Sequence, residues 1–142
     1  MVCCDRSQCL HGNAAVQTQL GALINRSREF LAGSEFTVKI RTGKYLVPDV
    51  TVQRRDHIQD PYGIDPIHLC VEILSPEDRF SETVAKCEEY HEWRVETTWI
   101  IDPESRRAWE FRRRERPVEV SATGVLTAGP ISISLTECFS IL

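Results

Sequence analysis

The chain has 142 residues, 42% of them apolar, and a formal net charge of −4, which is enough for one compact core and too short for two comfortable ones. The acidic balance gives the chain as a whole no field to draw in nucleic acid, and no stretch approaches the roughly 18 uninterrupted apolar residues of a membrane span. A single soluble, cytoplasmic domain over residues 1–142 is expected. With no secretory signal in view, the six cysteines are expected as reduced thiols, Cys70 and Cys87 falling inside apolar-patterned elements. Cys3, Cys4, Cys9 and His11 lack the distant second Cys pair of a structural zinc site.

In residues 12–31, Val16, Leu20, Leu23, Ile24 and Leu31 recur at helical spacing, which predicts an amphipathic first helix. Phe36, Val38 and Ile40 then alternate as a strand, Thr42-Gly43-Lys44 turns the chain, and 45–52 is expected to return as the partner strand, a hairpin carrying Asp49. Residues 53–66 have no apolar period and read as a long loop beside the candidate site. The run 67–74 is almost wholly apolar and broken by Glu72, as in a buried central strand. Ser75-Pro76-Glu77-Asp78 predicts a helix start capped by Ser75, running to about Trp93. A strand at 97–101 and a second hairpin through 107–112 follow, then a strictly alternating strand from Ile131 and an apolar tail, Cys138-Phe139-Ser140-Ile141-Leu142. Arginines at 106, 107, 112, 113, 114 and 116 suggest either a local phosphate-binding face or a charge-protected strand edge.

The chemistry concentrates at two carboxylates. Asp49 and Glu72 open and close two apolar strands that can pair in one sheet, so their carboxylates can converge at one sheet end and share a divalent cation, with the backbone carbonyl of Ile73 as a further oxygen ligand. Position 74 shares a strand face with Glu72 and is where a lysine would most simply join it, but it is Leu74. Lys86, on the following helix, is the replacement candidate, and Glu82, Lys86 and Tyr90 fall on one helix face at i, i+4 and i+8. The bland alternative for Lys86 is a surface lysine paired with Glu82 or Glu89.

Pro48-Asp49-Val50, Val71-Glu72-Ile73-Leu74-Ser75-Pro76, Lys86 with Tyr90, and Trp99-Ile100-Ile101-Asp102-Pro103, in that order, resemble the Uma-two family of restriction-endonuclease-like proteins, a branch of the PD-(D/E)XK nuclease superfamily. The likeness spans about residues 11–112 and includes His11-Gly12 at the first helix. It implies an α/β (α+β) fold, a restriction-endonuclease-like mixed central sheet flanked by helices, with Asp49 and Glu72 as metal ligands and Lys86 as the migrated motif lysine. It also implies an N-terminal segment with an acidic hairpin ahead of the first helix, which this chain is expected to lack.

The expectation is therefore a Mg²⁺- or Mn²⁺-dependent endonuclease acting on DNA through Asp49, Glu72 and Lys86, with Glu82, Tyr90 and His11 as secondary site candidates and a homodimer as the working assembly. The competing expectation is a catalytically inactive nuclease-fold module for nucleic-acid binding or oligomerisation, dimerising through its apolar tail.

Overall fold

The computed structural model describes residues 6–142, with side chains from residue 12 onward. The elements in chain order are α1 (Arg6–Asn25), β1 (Phe30–Gly33), β2 (Val38–Arg41), β3 (Lys44–Leu46), β4 (Val50–Arg54), β5 (Leu69–Ile73), α2 (Phe80–Glu92), β6 (Thr97–Asp102), β7 (Arg107–Arg112), β8 (Val118–Val120), β9 (Val125–Ala128), β10 (Ile131–Ser134) and α3 (Leu135–Phe139). Six strands form a mixed sheet in the order β1-β4-β5-β6-β7-β8. Every pairing in it is antiparallel except β5 with β6, which α2 joins as a crossover, the connection a parallel pair requires.

Strand alternation divides the core between the two faces of this sheet. Val50, Val52, Leu69, Val71, Ile73, Trp99 and Ile101 meet Val16, Leu20, Leu23 and Ile24 of α1 and the β9–β10 and α3 side chains in one large cluster. Their neighbours Cys70 and Ile100 point the other way. Cys70 joins Val38, Ile67, Tyr90 and Val95, and Ile100 joins Cys87 and Phe111. Glu72 shares this second face, beneath α2.

Several boundaries differ from the expectation, each for a local reason. The first helix stops at Asn25, whose side-chain oxygen accepts from the Ala32 N–H at 2.8 Å, so Leu31 belongs to the short edge strand β1 rather than to the helix. The expected hairpin is shorter and does not carry Asp49. β2 and β3 form a separate two-stranded ribbon, and the chain leaves it through Val47 and Pro48, which has no N–H to continue a ladder. Asp49 therefore introduces β4 of the main sheet. Ser75 does not cap α2 either: its N–H bonds Asp78 Oδ2 at 2.8 Å and its carbonyl accepts from Asp78 N–H at 3.0 Å. That tight turn delays the helix until Phe80, with Arg79 at the cap position and no side-chain cap.

The C-terminal run is only partly exposed. Cys138 and Phe139 lie in the core on the short helix α3, although Ile141 and Leu142 remain exposed. Three of the six arginines in this region are paired: Arg107 holds Glu119 through two nitrogens at 2.7 and 2.8 Å, Arg112 reaches Glu110 and Arg113 reaches Glu96. Those contacts favour the protected-edge alternative over a phosphate face. Cys70, Cys87 and Cys138 are free and buried, while the Cys3, Cys4, Cys9 and His11 side chains lie outside the described residues. Among the described residues no helix is long and apolar enough to cross a membrane.

Candidate active site

Antiparallel pairing of β4 with β5 sets Val50 opposite Val71, so one step further out Asp49 stands across from Glu72. The Asp49 side chain finishes the ladder that its backbone leaves: Oδ2 accepts from the Ile73 N–H at 2.7 Å. Its carbonyl accepts from Gln17 Nε2 of α1, also at 2.7 Å. On α2, Lys86 and Tyr90 lie one turn apart and both reach the same carboxylate oxygen. Lys86 Nζ sits 3.0 Å from Glu72 Oε1, and the Tyr90 hydroxyl donates to that atom at 2.7 Å. A longer Lys86 contact, 3.4 Å, goes to the carbonyl of Val47.

Asp49, Glu72, Ile73 and Lys86 line a cleft of about 420 Å³ together with Asn13, Ser75, Asp78, Arg79, Glu82 and Thr83. Burial dominates its electrostatics. The Glu72 carboxyl, with only 8% of its side chain exposed, is pushed up to about 7 by desolvation, against the opposing pull of Lys86 and Tyr90, and Asp49 adds to the rise. Asp49 is raised too, again chiefly by burial, with the Ile73 N–H and Lys86 holding it back. Two carboxylates facing one lysine leave the cleft short of positive charge. One oxygen of each carboxylate is held by protein donors, and the Asp49 and Glu72 carboxyls are within hydrogen-bonding reach of each other.

Asp49, Glu72, Ile73, Glu82 and Lys86 are thus brought together. The surface pairing of Lys86 does not occur, and Glu89 instead meets Lys44 at 3.4 Å. Tyr90 is fully buried, so it touches Glu72 and not the cleft. Burial and the neighbouring Glu72 push its phenol far above the ordinary value, which keeps it a permanent donor. His11 falls on α1, but its side chain lies outside the described residues. Residues 53–66 do not line this cleft. Their hydrogen bonds brace one another and Trp93, with Gln59 Oε1 taking the Ile64 and Asp65 N–H groups and Trp93 Nε1 donating to the Ile64 carbonyl.

Gln17, Asn13 and Arg79 were not singled out from the sequence. The signal for Asn13 and Gln17 was present as i, i+4 spacing on the first helix, but it gains meaning only once α1 is laid beside Asp49. Leu74 occupies the position of the absent lysine and packs with Cys87, Ile100 and Phe111.

A mixed sheet with a carboxylate pair at one end of its interior strands and a lysine leaning in from the crossover helix defines a restriction-endonuclease-like fold. A crystal structure described as that of a "putative nuclease belonging to DUF820", from Anabaena variabilis, has the same fold: the TM-score is 0.78 with 18% sequence identity, over 92% of this chain and 81% of that one. The model of the Uma2 family, described as "Putative restriction endonuclease", matches residues 10–140, and the chain belongs to that family. No curated protein matches it.

Proposed function

We propose that the protein is a metal-dependent endonuclease that hydrolyses DNA phosphodiester bonds at the cleft between β4, β5 and α2. The observation that carries this reading is the meeting of Asp49, Glu72 and Lys86 in one cleft, supported by membership of a restriction-endonuclease family. The donor set fits a small, hard divalent cation. Among the described residues no group of three or more His, Cys, Asp or Glu gathers as a metal cage. The protein's share would therefore be the Asp49 and Glu72 carboxylates and the Ile73 carbonyl, leaving other positions to water and phosphate oxygens, as Mg²⁺ and Mn²⁺ prefer. Such a cation, when bound, supplies Lewis-acid charge and acidifies a water.

The chain's own groups do the rest. Lys86 and Tyr90 fix Glu72 Oε1, so the carboxylate cannot rotate and its second oxygen is directed by the first. The Ile73 N–H fixes Asp49 in the same way, and Gln17 ties the Asp49 backbone to α1. The Lys86 ammonium also offers its remaining protons to the attacking water or to a nonbridging phosphate oxygen, opposing the negative charge that grows in the transition state. Arg79, at the cleft lip, can take a flanking phosphate. Cutting both strands of a duplex with one such cleft per chain calls for two copies, so a homodimer belongs to this reading.

The test is nicking of supercoiled plasmid by wild type, Asp49→Ala and Lys86→Ala with Mg²⁺, Mn²⁺ and EDTA. Metal-dependent nicking that falls by roughly 10²-fold or more in both variants is expected, the usual size of a lost charge-stabilising group. Equal activity in all three proteins, or none in a folded wild type, would refute the reading.

A further inference from the structure

A polynucleotide is longer than the cleft that cuts it, so the strand beyond the scissile phosphate runs over neighbouring surface. On the β6–β7 side that surface carries an aromatic step. Register puts Glu72, Ile100 and Trp109 in one row across β5, β6 and β7. Trp109 therefore stands two strands from the carboxylate, about 10 Å at roughly 4.8 Å per strand, a reach that one or two extended nucleotides can span. Leu74 and Trp109 both pack on the cluster of Cys87, Ile100 and Phe111, so the ground between the cleft and the indole is apolar.

Phe80, the first residue of α2, packs against Trp109 with ring centroids 4.7 Å apart and planes tilted by 51°. Arg107 Cζ lies 5.0 Å from the Trp109 ring centroid and is itself held by Glu119. Trp109 is thus braced, whereas Phe80 remains 38% exposed. The residue before it, Arg79, lines the cleft and has no side-chain partner among the described residues. A free guanidinium in the cleft wall and an exposed ring one residue further on supply the two contacts a nucleotide needs, one for its phosphate and one for its base. A single exposed ring is far smaller than the roughly few hundred Å² of a protein docking patch.

We propose that Phe80, braced by Trp109, stacks on an unpaired base beside the scissile phosphate and so makes single-stranded, frayed or mismatched DNA the favoured substrate. Arg79 takes the phosphate between that base and the cut. A base inside a duplex has both faces covered by its neighbours and must leave the stack to reach Phe80, a cost that is smallest where pairing is already lost. The inference rests on the nuclease reading, which is what puts a polynucleotide in the cleft.

The test is fluorescence anisotropy of the full chain with a labelled thymidine oligonucleotide of about ten nucleotides and with an abasic deoxyribose-phosphate oligomer of equal length. Both are measured in EDTA and again with Ca²⁺ to neutralise the cleft carboxylates. The two oligomers carry the same charge and differ only in their bases. Wild type should bind the thymidine oligomer about tenfold more tightly, the size of one base–aromatic stack. Phe80→Leu, which keeps an apolar side chain against Trp109, should lose most of that ratio, and Phe80→Tyr should keep it. Arg79→Ala should weaken both oligomers alike. Circular dichroism establishes folding, and the wild-type ratio itself needs no variant. A wild type that nicks plasmid but binds both oligomers equally, or a folded Phe80→Leu that keeps the wild-type ratio, overturns this inference and leaves the nuclease reading standing. A wild type that shows the ratio and loses it in Phe80→Leu, yet never nicks with Mg²⁺ or Mn²⁺, overturns the nuclease reading and supports the stacking site. Binding of neither oligomer overturns the inference, and plasmid nicking then decides the nuclease reading separately.

Discussion

Replacing Glu72 by Gln is expected to make the metal-free protein more stable at alkaline pH and to destroy its response to metal. Burial raises the Glu72 carboxyl from 4.5 to about 7, so the fold favours the neutral form even with Lys86 and Tyr90 in contact. At roughly 1.4 kcal/mol per pH unit, that gap corresponds to about 3 kcal/mol. The sign follows from linkage: the folded state binds the extra proton, so this contribution is fully present below pH 4.5 and is lost as pH rises through about 7. Glutamine imitates the protonated form and keeps an oxygen for the Tyr90 hydroxyl. In EDTA the variant should therefore melt close to wild type at pH 4.5 and roughly 6–12 °C above it at pH 8, for a chain of this length. Wild type at pH 8 should then recover stability with Mg²⁺, by about 2.7 kcal/mol at one hundred times the dissociation constant, and Glu72→Gln should not. Differential scanning fluorimetry at the two pH values, with and without Mg²⁺, reads all of this. A variant no more stable than wild type at pH 8, or equally advantaged at pH 4.5, would refute the claim that an ionised Glu72 is held against its own desolvation.

Arg79 lines the cleft and has no side-chain partner among the described residues, so Arg79→Ala should raise the KM for plasmid nicking several-fold with little change in kcat. An unchanged KM would remove it from the substrate path. Leu74→Lys in a Lys86→Ala background places an ammonium on the Glu72 face of β5, where Leu74 is only half-buried. At least tenfold recovery of single-turnover nicking over Lys86→Ala alone is expected, and a folded double variant with no recovery would argue that the helix position, not the charge, matters.

The convergence of Asp49, Glu72 and Lys86 was legible in the sequence because carboxylates in apolar strands are conspicuous: Glu72 interrupts an otherwise buried run, and burying a charge demands partners. The mixed sheet flanked by helices followed from the family resemblance, but its strand order did not, because β1 is a four-residue edge strand next to the first helix and pairs with β4 across the whole β2–β3 ribbon. What escaped was short or depended on the third dimension. β8 has three residues and β9 four, too few for alternation to stand out, and α3 was hidden in an apolar tail whose Cys138 and Phe139 are core residues. Alternation alone does not mark where the hairpin ends, because Pro48 keeps the apolar pattern while its missing N–H ends the ladder and leaves Asp49 to the main sheet.

The helix start was also misplaced, yet the face it presents was not. Ser75 and Pro76 carry strong start signals, but Asp78 captures the Ser75 N–H and postpones α2 to Phe80. Moving a helix boundary does not alter the phase of the residues inside it, because i and i+4 stay one above the other wherever the first turn begins. Lys86 and Tyr90 are such a pair, and both end within hydrogen-bonding distance of the same Glu72 oxygen. The periodicity of the helix, rather than its ends, thus decides that a lysine from α2 can stand where a strand lysine is missing. It also sets Tyr90 beneath it as the donor that keeps the buried carboxylate from turning away.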